Sequence, residues 1–328
     1  MLVRLVITLS SVSLVAITHP TRSAEIDSLT GRTVVLADSS DALERRLDEA
    51  LEAGVLRANQ ASVGCDEGVL HRELRRALAT PFIGHVIAEA LNEDETLDRR
   101  RVRRADSIYR DLALLDNVSV HWKDLSAVVR VGDVLMGVDK LGHFVVEGWK
   151  YFEIAHLDGK GVAAAMEWGE RSERTYFGRL TTGVHSYADL VANFEGMRFW
   201  LHVLGRADDP LETGWRSSRP YVTCRKRLWL AGERRWHLSR KPDLADYVTP
   251  VWDEAVNCCS YRNEKIEALV RGRIAELSEA AQVDYACPLD PDGCARARQR
   301  YGEWAPRLLH PTCLAAPPPA RRWWRFRQ

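Results

Sequence analysis

Apolar residues recur every three or four positions between 39 and 92, as in Leu43, Leu47 and Leu51 and again in Leu70, Leu74 and Leu78. That interval puts them on one face of a helix rather than one face of a strand. Ser39 or Ser40 is placed to cap the first helix. Pro81 separates a helix ending near Thr80 from a shorter one at 86–91. The stretch 92–104 runs from Glu93, Asp94, Glu95 and Asp98 to Arg99, Arg100, Arg101, Arg103 and Arg104, which predicts an exposed, self-neutralising connection. The segment 131–205 is the richest in pattern. It is expected to open on an apolar helix, followed by helices at 161–174 and 186–204 with a Thr- and Gly-rich turn at 178–183. Beyond Gly205 the periodicity fades, apart from an amphipathic stretch at 264–280. The expected class is mainly α: a helical core with a less regular, disulfide-linked C-terminal region.

The first residues change the picture from fold to compartment. Arg4 precedes an apolar run at 5–17, too short for a stable membrane anchor, and the polar end Thr21-Arg22-Ser23-Ala24 offers small residues for cleavage after Ser23 or Ala24. The expectation is a signal peptide at 1–24 and a periplasmic or cell-envelope address. The remaining chain divides by composition into a helical domain at 25–206 and a Cys/Trp-rich region at 207–328.

Seven cysteines follow the leader, six of them after residue 220, and an oxidising compartment lets them pair. Cys287 and Cys294, flanking a turn-rich Pro-Leu-Asp-Pro-Asp-Gly segment, are the first expected pair. Adjacent Cys258 and Cys259 are expected to reach different partners, and an odd total leaves one thiol.

Removing Arg4 and Arg22 leaves 44 basic against 46 acidic side chains, which gives no electrostatic case for nucleic acid. No phosphate loop, nucleophile elbow or His-Glu-x-x-His helix is present. The eleven tryptophans are mostly dispersed singly, a pattern of core packing. The chain closes with Arg321, Trp323, Trp324 and Arg325, a composition suited to peripheral contact with a membrane interface.

Chemistry concentrates in two stripes. Asp139, His143 and Glu147 are spaced by four, as are His185, Asp189 and Asn193, with Glu195 nearby. If both segments are helical, the stripes can meet at one seam. Three readings stand: a hydrogen-bonded packing network, a pocket for a ligand or catalysis, and a metal site. Asp139 as a helix cap, and Ser186 with Asp189 as a capping box, account for part of the pattern without function. One histidine per stripe and no nearby cysteine leave no metal or cofactor assigned.

The motif Gly137-Val-Asp139-Lys140-Leu-Gly142-His143-Phe144, with the later Ser186-Tyr-Ala-Asp189-Leu-Val-Ala192-Asn193-Phe-Glu-Gly196, resembles the paired signatures of the YfiM-like lipoprotein group. It resembles more distantly those of the VanZ-like envelope proteins. The resemblance covers residues 130–205 and implies a helical, envelope-associated protein without an established activity. This chain lacks the lipobox cysteine of the first group and the multiple transmembrane helices of the second. Two functions follow as expectations. One is binding of an envelope lipid, glycan or protein partner through Lys140, Asn193, Glu147 and His185. The other is a hydrolase acting on envelope lipid or glycan in which His143 is the general base, oriented by Asp139 or Asp189, with Lys140 stabilising negative charge; a metal-assisted variant adds Glu147 and His185 as ligands.

Overall fold

The computed structural model describes residues 25–79, 94, 97–117, 121, 125–175, 182–205, 209–211, 220–226 and 234–317. The leader, the short helix expected at 86–91 and the basic aromatic tail lie outside them.

Helix α1 (Ser40–Ala61) forms where the leucine stripe predicts it, and Leu43, Leu47, Leu51, Val55 and Ala58 are all buried. Ser39 holds the cap position without a side-chain bond. The carboxylate of Asp38 accepts from the Ser40 amide instead. Helix α2 (Glu67–Leu74) is capped by Asp66 and continues through a wider turn at Arg75–Ala79. Leu70, Leu74 and Leu78 are buried against α1.

The expected apolar helix near 131 is a hairpin instead. Strand β1 (Val128–Val131) pairs antiparallel with β2 (Val134–Gly137), Val131 facing Val134 across the turn. The β-branched valines favour strand, and Gly132 at φ 57° makes the tight turn. The helix begins only after it. Asp139–Gly142, His143–Glu147, Gly148–Phe152 and Glu153–Leu157 form one continuous run, here α3, alternating α-helical and π-type turns. In the π turns an amide reaches five residues back, as Gly148 does to His143.

Helix α4 (Val162–Arg174) and helix α5 (Tyr187–Leu204) match their predicted spans to within a residue. Ser186 caps α5 by accepting from the Asp189 amide, and Gly205 at φ 62° ends it. Nearly every side chain of α5 is buried, which makes it the central helix of the core. Its closest neighbour is α3. A Cβ on Gly196 would lie 2.0 Å from the Phe144 carbonyl oxygen, and one on Gly148 only 2.6 Å from the Gly196 Cα. These two glycines allow the backbones to touch, and the touching sets the seam where the polar stripes meet.

Strand β3 (Val184–Ser186) pairs antiparallel with β6 (Cys259–Tyr261), and β4 (Val222–Lys226) with β5 (Arg234–Leu238). The C-terminal part adds α6 (Glu264–Ala281), α7 (Pro291–Tyr301), α8 (Ala305–Leu308) and α9 (Pro311–Leu314). The fold is mainly α, with two-stranded clasps rather than a sheet layer. One apolar cluster runs from Leu43 to Ala316, drawing on both sides of residue 206. Trp149, Trp200, Trp236 and Trp252 are buried in it.

Three disulfides tie the chain: Cys65–Cys224, Cys258–Cys287 and Cys294–Cys313. The expected Cys287–Cys294 pair does not form, because α7 starts between them and carries Cys294 towards α9. Cys259 is the free thiol, and its neighbour Cys258 is bonded elsewhere. Arg100 departs from the expected exposed connection. It is buried, exchanges backbone bonds with Val128 and donates to the Ser28 carbonyl. Among the described residues, no helix is long and apolar enough to cross a membrane.

Candidate functional site

The two stripes meet. Lys140, on the first turn of α3, has no exposed surface, and its ammonium lies 3.0 Å from Asp139 Oδ2, 2.7 Å from Asp189 Oδ1 and 2.7 Å from Glu254 Oε1. An ammonium has three N–H groups and here faces three carboxylates. Burial alone would drive its proton off, but Asp139, Asp189, Glu254 and Glu25 hold it on, so the pKa rises well above the usual lysine value.

One turn further on, His143 Nε2 is 3.3 Å from Asp189 Oδ2, and its Nδ1 is 3.1 Å from Asn193 Oδ1. Burial disfavours the charged ring, but Asp189, Glu147 and Glu173 outweigh it and raise the pKa to about 9. At neutral pH the ring is therefore charged: Nδ1 donates to Asn193, and Nε2 forms an ion pair with Asp189. Asp189 moves the other way: burial opposes its charge, and His143 and Lys140 overcome that and lower its pKa.

The capping box is half formed. The Ser186 hydroxyl accepts from the Asp189 amide and donates to Glu254 Oε1, leaving the Asp189 carboxylate to Lys140 and His143. Asp139 is not the cap of α3. Val138 occupies that position, Asp139 lies inside the first turn, and its carboxylate turns to Lys140.

His185 does not join the stripe. It sits on β3, before α5 begins, so helical spacing does not apply to it, and its ring packs edge-on against Tyr187 at 4.8 Å. It lines instead a cleft of about 430 Å³ with Glu170, Arg174, Tyr187, Leu190, Ser260, Pro306 and Arg307. Tyr187 and Leu190 flank Asp189 in the chain, and Glu170 and Arg174 flank Glu173.

Three buried acids were not foreseen. Glu254 bridges Lys140 and Ser186 from an irregular loop that has no period to read. Glu25, at the first described residue, is raised well above the usual carboxyl value by burial and by Glu254 and Asp189. Glu173 is buried on α4, and burial with the nearby Asp189 raises its pKa to about 8. It had a signal: it continues the buried stripe of Ala165, Met166 and Gly169, where an acid is out of place. Glu147, on α3, is likewise buried and raised by its burial. Neither Glu147 nor Glu173 makes a side-chain hydrogen bond or ion pair among the described residues.

Asp139, His143 and Asp189 each present a possible metal-ligating atom, all within 4.8 Å of one another. The chain was also compared with known proteins: no family model, no curated protein and no solved structure matches it.

Proposed function

We propose that this chain is an exported cell-envelope protein that binds an envelope component at the cluster joining α3 and α5 and in the cleft beside it, without using His143 as a general base. The observation that carries the reading is the engagement of both nitrogens of His143, by Asp189 and Asn193. A general base needs a nitrogen free to take a proton from water or a nucleophile, whereas Nδ1 is spent on Asn193 and Nε2 lies against the Asp189 carboxylate. Lys140 is enclosed in the same way and does not face an open volume in which a reaction intermediate would sit. Three disulfides and a leader-like start support export. The cleft, lined by arginine, tyrosine and histidine side chains, has the mixed polar and aromatic character of a recognition site.

The hydrolase reading retains one favourable feature, a histidine within 3.3 Å of a carboxylate. The two are separated by incubating the purified mature chain with envelope phospholipids and with peptidoglycan fragments, following binding by calorimetry and turnover by mass spectrometry. Saturable binding without turnover, weakened at least tenfold by Tyr187→Ala, is the expected result. Turnover that disappears in His143→Gln would overturn it.

A further inference from the structure

We infer that the cluster is a binding site for one divalent transition-metal ion, held by a carboxylate oxygen each of Asp139 and Asp189 and by a ring nitrogen of His143. The inference rests on the reading of the cluster as a binding site and names its occupant.

The first argument is charge. Among the described residues, six carboxyl groups, Glu25, Asp139, Glu147, Glu173, Asp189 and Glu254, gather around two cationic side chains, Lys140 and His143. Uncompensated charge is costly in an interior. A divalent cation would reduce that excess directly.

The second argument is geometry. Two ligands on one tetrahedral ion with bonds of about 2.0–2.2 Å stand about 3.3–3.6 Å apart. His143 Nε2 and Asp189 Oδ2 are 3.3 Å apart, inside that range, and an Asp139 oxygen within 4.8 Å of both would have to swing inward to complete the set. The 3.3 Å separation is long for a charge-assisted hydrogen bond, for which about 2.7–2.9 Å is usual.

The third argument is the surroundings. A histidine that ligates through one nitrogen usually donates its other N–H to a carbonyl or carboxylate. Asn193 Oδ1, 3.1 Å from Nδ1, occupies that position. Lys140 takes Asp139 Oδ2 and Asp189 Oδ1, which leaves one oxygen of each carboxylate outside its grip. Asp139 Oδ1 is buried without a hydrogen-bond partner. Glu173, only 3% exposed, stands in the field of Asp189 and His143. One imidazole and two carboxylates suit a first-row divalent ion, whereas calcium takes six to eight oxygens.

The test uses the full mature chain with its disulfides intact, stripped by chelator and dialysed. Titration with Zn²⁺ against a chromophoric chelator is expected to show one ion per chain. Co²⁺ should give the visible d–d bands of a four- or five-coordinate site without a thiolate charge-transfer band, which sets the site apart from Cys259. His143→Gln and Asp139→Asn should each weaken Zn²⁺ at least 100-fold, and Asn193→Ala by about 10- to 100-fold. Far-ultraviolet circular dichroism establishes that each variant is folded. Cys259→Ser should bind as the parent does. Failure of the parent to bind one equivalent, or unchanged binding by folded His143→Gln, would overturn the inference. Neither result would touch binding of an envelope component in the cleft, which is read without metal.

Discussion

Helix α5 carries two buried ionic networks, and they are balanced differently. Towards its C-terminal end, Arg198 donates to both oxygens of Asp209 and to Glu195, and Glu195 also receives Arg300 and the Tyr301 hydroxyl. His202 lies 2.8 Å from Asp209 and 2.8 Å from the Tyr247 hydroxyl, itself 2.6 Å from the Tyr221 hydroxyl. Two carboxylates meet two guanidinium groups. Although burial raises it, the Asp209 carboxyl is held far below the usual range by His202 and Arg198. The end of α5 nearest its N-terminus is equally buried but gathers an excess of acids, two of them, Glu147 and Glu173, without a side-chain partner among the described residues. Burial therefore does not by itself distinguish a structural network from a site. The charge balance does: the first network is complete, and the second has capacity left for a ligand.

Breaking the crowded network is expected to produce the largest effect. Lys140→Met leaves Asp139, Asp189 and Glu254 facing one another and should cost about 3–5 kcal/mol, the usual loss when one partner of a buried pair is removed. Urea unfolding at pH 7 measures it. Partial recovery on lowering the pH would identify charge rather than packing as the cause.

The pH dependence of the parent sharpens the contrast. The folded chain keeps a proton on Glu173 up to about pH 8, whereas an unperturbed carboxyl releases it near 4.5. The stabilisation is complete below about 4.5 and is lost as the pH rises to 8. His143 acts in the same direction between 6.5 and about 9. In metal-free protein the stability should therefore fall between pH 6 and pH 9, on the order of 2–4 kcal/mol. A flat profile in urea unfolding would contradict the assignment of buried protons.

Much of this was legible in the chain. The leucine stripes of α1 and α2 and the spans of α4 and α5 follow from helical spacing, because those helices bury one face or nearly all of their surface. The Asp139-His143 and Asp189-Asn193 pairs could be read as a shared seam, since i, i+4 positions share a helical face. What escaped had no local period. Val128 to Gly137 is apolar without a register long enough to separate strand from helix, and Glu254 reaches Lys140 across 114 positions from a loop. His185 fitted the spacing but fell on the wrong side of the Ser186 cap. The disulfide partners depend on where α7 and α9 pack, which cysteine spacing does not encode.

The most direct measurement removes one negative charge from each network in chelator-treated protein at pH 8.5. Glu173→Gln should raise the urea midpoint, because it replaces a charge the cluster cannot neutralise, by about 1 kcal/mol in stability. Glu195→Gln should lower it by about 3 kcal/mol, because Arg198 and Arg300 lose a charged partner. Opposite signs are the prediction. A loss of stability in both variants would mean that the two networks are alike and that the cluster at the α3–α5 seam has no charge left to be met.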